Sequence, residues 1–209
     1  MLRQTRNFSS SLKVRADTPA NAAGMKESIA PQTHYDFFPQ TLGAAAIPPS
    51  GTFAIDIKTL RREFLQLQAK AHPDMVPADK KRQAEALSAR INEAYKTLQN
   101  PLLRAQYLLH LRGIDVAEDE TAKVEDPELL MEVLETRETI EEAQEEKDLE
   151  PLKESNEIRI ADSISVLEDA FKNDDMDLAK SESIKLRYWV NIRESIDAWE
   201  RGKPVVLVH

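Results

Sequence analysis

Along most of the chain, apolar positions recur at spacings of three and four, the period of a helix with one buried face. Over residues 56–71 the stripe is Leu60, Phe64, Leu67 and Ala71, with Lys58, Arg61 and Arg62 off it. Asp56 is placed to cap this helix. Pro73 ends it, because proline disfavours helical geometry in the residue before it and has no N–H to donate. After a loop, Ala84, Leu87, Ile91, Ala94, Tyr95 and Leu98 mark a second amphipathic helix, long enough to run antiparallel to the first. The pair forms a hairpin whose tip presents His72, Pro73 and Asp74. Asn100 and Pro101 then open a shorter helix in which Leu102, Leu103, Tyr107, Leu108 and Leu111 pack back on the hairpin, and Gly113 ends it. His110, in that apolar helix, reads as a packed histidine.

Residues 114–125 are acidic and aperiodic, the pattern of a linker. Three further helices follow, over 126–146, 151–172 and 176–200, separated by turn signals at Asp148 to Pro151 and at Asn173 to Asp175. Three long helices with short connections predict an antiparallel bundle. The fold class is therefore all-α, a helical hairpin joined to a three-helix bundle. The first bundle helix carries two apolar stripes where one core needs only one. Leu129, Val133, Thr136, Ile140 and Ala143 form one face, while Leu130, Met131 and Leu134 lie about a hundred degrees round it, among Glu132, Glu135, Glu138, Glu141 and Glu142. The second stripe is either a partner-binding patch rimmed by acids or the edge of a wide core-facing stripe. In the last helix Trp189, Ile192, Ile196 and Trp199 make the core stripe. Tyr188 sits just off it, as a half-buried core residue or an aromatic anchor at the edge of the patch.

Composition narrows the functional classes. With 41% hydrophobic and 31% charged residues the chain is that of an ordinary soluble protein, and only 5 glycines favour uninterrupted helices. The absence of cysteine excludes disulfides, thiol nucleophiles and thiolate metal sites. No apolar run reaches the length of a membrane span. The net charge of −9 is unevenly spread: Lys and Arg number 11 against 7 Asp and Glu over residues 34–112, but 12 against 28 over residues 113–209. The basic face near the hairpin tip suits an acidic protein surface, and the acidic second half argues against nucleic acid as a ligand. At the N-terminus, Arg3, Arg6, Lys13 and Arg15 precede the first acid, Asp17, in a stretch rich in Ser and Thr. That is the composition of a mitochondrial transit peptide, or else of an ordinary disordered basic tail, continuing into a low-complexity segment with little that can pack.

The flanks of the hairpin tip carry a resemblance. Leu-Gln-Ala-Lys-Ala-His-Pro-Asp ending at Asp74, Ile-Asn-Glu-Ala-Tyr-Lys-Thr-Leu over residues 91–98 and Asn-Pro-Leu-Leu-Arg-Ala-Gln-Tyr over 100–107 resemble the J domain of DnaJ-type co-chaperones. His34 to Pro39 is similar to that domain's aromatic opening, and residues 40–51, with Pro48, Pro49 and Gly51, make a longer connection than a compact J domain has, read here as a loop insertion. The sequence Asp-Pro-Glu-Leu-Leu-Met-Glu-Val-Leu-Glu-Thr-Arg-Glu over 126–138 and Leu-Arg-Tyr-Trp over 186–189 narrow the resemblance to the HscB-type J-proteins, called Jac-type in fungal mitochondria. It implies a transit peptide and disordered segment over 1–33, a J domain over 34–112, a linker over 113–125 and a scaffold-binding bundle over 126–203. It also implies the partners: a mitochondrial DnaK-type heat-shock chaperone and an iron-sulfur cluster scaffold protein, met in the mitochondrial matrix. The chaperone surface would comprise His72, Pro73 and Asp74 with Lys58, Arg61 and Arg62. The scaffold surface would comprise Leu129, Leu130, Met131 and Leu134, acidic Glu135, Glu141 and Glu142, and Tyr188. The cysteine-based zinc module of some relatives has no counterpart here, so no metal and no cofactor is expected.

Other functions draw on the same residues. His72 with Asp74 matches an acid/base pair, and His34, His110 and His209 are potential metal ligands, yet no spacing such as two histidines one turn apart gathers them. A coiled-coil adaptor would need three sustained heptads, and prolines and turns interrupt the pattern first. A J-protein serving another client shares every feature of the hairpin, because the tip fixes the class of chaperone and not its cargo.

Overall fold

The computed structural model describes residues 32–43, 47–116 and 127–200, and every regular element among them is helical. The helices are α1 (Pro39–Leu42), α2 (Ile57–Ala71), α3 (Lys81–Gln99), α4 (Pro101–Leu111), α5 (Pro127–Glu142), α6 (Glu150–Lys172) and α7 (Met176–Asp197). The basic N-terminal stretch, residues 44–46, most of the expected linker and His209 lie outside the described residues.

Helix α2 begins where Asp56 caps it, its carboxylate accepting from the Lys58 N–H at 3.0 Å and from the Thr59 hydroxyl; these bonds hold the carboxyl below its usual range. It ends at His72, whose backbone is extended ahead of Pro73. Helix α3 packs along it, burying Leu60 and Ala71 of α2 against Ala84, Ile91, Ala94 and Leu98. Phe64 stacks on Tyr95 with ring centroids 4.1 Å apart. The Gln68 amide donates to Asn92 Oδ1 at 2.8 Å, and the Ser88 hydroxyl donates to Gln68 Oε1 at 2.8 Å, so the polar edge of the hairpin is also paired. Leu87, expected in the stripe, is 41% exposed. Helix α4 accounts for this: at about 16 Å it is too short to fold back from Asn100 as far as the hairpin tip.

Asn100 caps α4 by accepting from the N–H groups of Leu102 at 2.9 Å and Leu103 at 3.2 Å. Gly113 follows the helix with φ 75°, a left-handed conformation that glycine adopts without a steric penalty. The buried face of α4 is Leu102, Arg104, Ala105, Leu108 and Leu109. His110 and Leu111 lie outside it and are exposed, so His110 is not the packed histidine its apolar neighbours suggested. Upstream, the Tyr35–Phe37 turn is pinned by the Asp36 carboxylate, which accepts from the N–H of Gln32 at 2.9 Å and of Thr33 at 2.7 Å. The His34 ring stacks on Tyr107 at 4.2 Å, and partial burial holds its pKa below the ordinary histidine value. The insertion is not all loop. Its first turn, α1, is tied to α2 by the buried carboxylate of Glu63, which accepts from the N–H groups of Gln40 at 2.9 Å and Thr41 at 2.8 Å.

In the second half, α6 and α7 form an antiparallel pair closed by α5, with Ile160, Leu167 and Phe171 packing among Leu186, Trp189, Val190, Ile192 and Ile196. The Asn156 amide donates to the Trp189 carbonyl at 2.9 Å. The Arg159 guanidinium lies 5.1 Å from the Trp189 ring centre and pairs with Glu132 of α5 at 2.6 Å. Helix α5 stops at Glu142 rather than 146. The Asp148 carboxylate accepts from the N–H groups of Gln144 at 3.1 Å and Glu145 at 2.9 Å, bending the chain into the Glu146–Leu149 turn.

The two helical groups share one hydrophobic core rather than hanging on a flexible connection. Helix α4 packs against α7. Phe53, 1% exposed, stacks on Phe171 at 5.2 Å, while Arg104 lies over its ring at 4.7 Å and donates to its carbonyl at 2.7 Å. Arg112 donates to Asp174 Oδ1 and to the Pro48 carbonyl, each at 2.7 Å. Val116, within the stretch expected to be linker, is 3% exposed, and its carbonyl accepts from Arg187 at 3.4 Å.

Candidate functional site

The hairpin tip is a surface and not a pocket. After α2, Pro73–Met75 form a single 3-10 turn in which the Met75 N–H donates to the His72 carbonyl at 3.0 Å. His72 Nδ1 accepts from the Asp74 N–H at 3.3 Å and lies 3.7 Å from the Asp74 carboxylate. The two side chains are 55% and 74% exposed. In the tautomer this bond selects, Nε2 carries the hydrogen and is a donor available to a partner. The turn packs against α3, which fixes its geometry. An acid/base pair works best where burial holds a substrate against it, and His72 and Asp74 instead stand with more than half of each side chain open to solvent. A cleft of about 250 Å³ does exist, lined by Pro101, Leu102, Ile160, Leu186 and Arg193, but it lies between α4 and the α6–α7 pair and no histidine touches it. Among the described residues no three His, Asp or Glu are grouped to hold a metal ion.

Lys58, Arg61 and Arg62 are all exposed on α2. Positions 58, 62, 65, 69 and 72 follow one another at spacings of four and three, so Lys58, Arg62, Leu65 and Ala69 form a row along the solvent face of α2 that leads to His72. Leu65 is 56% exposed and Met75, just past the tip, 76%. The sequence reading assigned neither. Leu65 was findable, as an apolar side chain standing among cations off the buried stripe.

The second stripe of α5 is real. Leu130, Met131 and Leu134 are 43%, 59% and 53% exposed, while Val133, Thr136 and Ile140 are buried. The core is therefore filled without them. Glu135, Glu138, Glu141 and Glu142, all exposed, lie one to three turns along the same rows of the helix. Leu129 separates from the others: at 5% exposure it belongs to the core and backs the patch instead of lining it. Tyr188 is half-buried against the core, with Trp189 beside it fully inside.

Two family models match the chain in the order the helices suggest: a DnaJ domain over residues 53–107 and an HSCB C-terminal oligomerisation domain over 125–197. The protein named J-type co-chaperone JAC1, mitochondrial, from Saccharomyces cerevisiae is 33% identical over 181 residues, 85% of this chain and 94% of that one. The chain belongs to the Jac1/HscB family of J-type co-chaperones. The mouse member, named iron-sulfur cluster co-chaperone protein HscB, is 34% identical over 69% of this chain but only 63% of its own length. Solved structures agree: the Jac1 co-chaperone from Saccharomyces cerevisiae superposes with a TM-score of 0.67 at 31% identity, covering 82% of this chain and 98% of that one. Human co-chaperone protein HscB does so with a TM-score of 0.65 at 34% identity, covering 70% of this chain and 75% of that one. In this chain the His72–Asp74 turn falls within the stretch matched as a DnaJ domain and the Leu130–Leu134 stripe within the stretch matched as the HSCB C-terminal domain, and the side chains of His72, Asp74, Leu130, Met131 and Leu134 are exposed.

Proposed function

We propose that this Jac1/HscB-family chain bridges an iron-sulfur cluster scaffold protein and a DnaK-type heat-shock chaperone in the mitochondrial matrix, and triggers the chaperone's ATP hydrolysis. The observation that carries this reading is the pairing of two exposed surfaces of different chemistry on one continuous core: the His72–Asp74 tip with its cationic helix, and the Leu130–Leu134 patch with its acids. The basic N-terminal segment acts as the import signal, in keeping with the mitochondrial relatives.

On this reading the protein performs no bond-making chemistry. Lys58, Arg61 and Arg62 meet an acidic surface of the chaperone, a contact that weakens with salt. His72 and Asp74 contribute directional hydrogen bonds that favour the chaperone's hydrolysis-competent state; this shifts a population and needs only a difference in affinity between two states. The patch on α5, with Tyr188, holds the scaffold by burying apolar surface. Two ligands on one frame raise each other's effective concentration.

The test is single-turnover ATP hydrolysis by the mitochondrial DnaK-type chaperone, with the protein alone, with scaffold added, and with His72→Gln. Stimulation that needs His72 and rises with scaffold is the expected result. His72-dependent stimulation with no scaffold binding would leave a J-protein with another client, and no stimulation at all would remove the chaperone role.

A further inference from the structure

The cationic face of α2 is not purely cationic. Lys58, Arg61 and Arg62 lie one to two turns ahead of Leu65 on this face, Ala69 continues the row, and His72 ends it. Leu65 exposes more than half its surface in the middle of this face, and Met75 exposes three quarters of its own just beyond His72. Neither belongs to the core or is packed against it. The stripe of Leu60, Phe64, Leu67 and Ala71 already supplies the contacts of α2 to α3, so Leu65 is not needed for folding.

We infer that Leu65 is the apolar anchor of the chaperone contact, with Met75 as a second apolar point on the far side of His72, so that the partner surface is an apolar depression rimmed by acids. This rests on the chaperone reading of the hairpin and specifies the surface it requires. Two observations fix the occupant as an acidic protein surface. The face is continuous with the His72–Asp74 turn, and Arg61 and Arg62 make no ion pair among the described residues, which leaves their charges available to carboxylates of a partner. The geometry suits such a contact. An apolar side chain flanked by long cations on one side and by the His72 turn on the other is desolvated when the face closes on its partner, and the flanking charges then set orientation and encounter rate while the apolar contact sets the lifetime.

Charge and apolar burial respond differently to salt, and that separates them. Arg62→Ala should raise the half-maximal concentration for ATPase stimulation strongly at low salt and little at high salt. Leu65→Ala should raise it about tenfold at every salt concentration, with the maximal rate kept and the thermal unfolding midpoint unchanged. His72→Gln, run alongside, should abolish stimulation. A half-maximal concentration for Leu65→Ala equal to wild type, with His72→Gln inactive, overturns the anchor and leaves the chaperone reading standing. No effect of His72→Gln overturns both. Binding of the wild-type chain to anionic phospholipid vesicles that is lost in Leu65→Ala, with stimulation unaffected, would assign the face to a membrane surface and also overturn the anchor.

Discussion

Replacing Leu130, Met131 and Leu134 together by alanine separates a binding patch from a core face. A fully buried side chain of this size contributes about 1.5 to 3 kcal/mol. Part of that contribution is already realised within the fold, and only the exposed fraction remains for a partner. With 43%, 59% and 53% of the three surfaces still open, docking can add about 2.3 to 4.7 kcal/mol, so scaffold affinity should fall by about 50-fold to 3,000-fold. Truncating exposed positions changes stability by about 0.5 kcal/mol or less each, so the fold should survive. Ile140→Ala is the contrasting control: the residue is 0% exposed, and removing it should cost about 2 to 5 kcal/mol of stability. The assay is scaffold binding by isothermal titration, with urea unfolding of the same preparations. A triple variant that keeps wild-type affinity would refute the patch. One that loses as much stability as Ile140→Ala would mean that the stripe belongs to the core after all.

Two further outcomes follow from the packing. Phe53→Ala removes the ring that stacks on Phe171 and lies under Arg104, and should cost about 3 to 5 kcal/mol in denaturant unfolding; a loss below 1 kcal/mol would show that the two helical groups do not depend on each other. His34 has a pKa held below its ordinary value by burial, so the unfolded chain binds the proton more readily. Its contribution is fully present above the ordinary histidine pKa near 6.5 and is lost as pH falls through that value towards the lower folded one. The stability gap between the wild type and His34→Phe should therefore shift against the wild type on acidification across that range. A gap that stays constant would place the histidine in an unperturbed environment.

The six helices from α2 to α7, both cap residues and the two-stripe character of α5 were legible in the sequence, because each depends on neighbours within a few residues; the short α1 was not. Asp56 and Asn100 bond only within their own first turns, and Leu130 and Leu134 follow from helical period alone. Contacts across long stretches of chain left no such trace. Nothing local marks Phe53 as the partner of Phe171, or Arg112 as the donor to Pro48 and Asp174, and so the shared core was read as a linker between two bodies. Leu87 failed for a related reason: periodicity says which face a residue occupies, while exposure depends on how far the neighbouring element extends; His110 failed because its apolar neighbours were read in place of its face. In the site, the resemblance carried Leu129 over with the patch by position, although helical period had placed it on the core face about a hundred degrees from Leu130, where it is buried.

The Phe53–Phe171 stack and the two-way grip of Arg112 on Asp174 and Pro48 make the connection a splint rather than a tether. A tethered pair of sites would meet with a probability set by the length of chain between them, and inserting residues there would dilute it. Here the spacing is set by packed side chains, so the 117–126 segment can lengthen without changing how the tip of one half lies relative to the patch on the other. Two partners gripped at once are thus held at a fixed distance and angle, and the frame acts as a gauge: a partner pair whose own geometry does not match pays in strain rather than in search time.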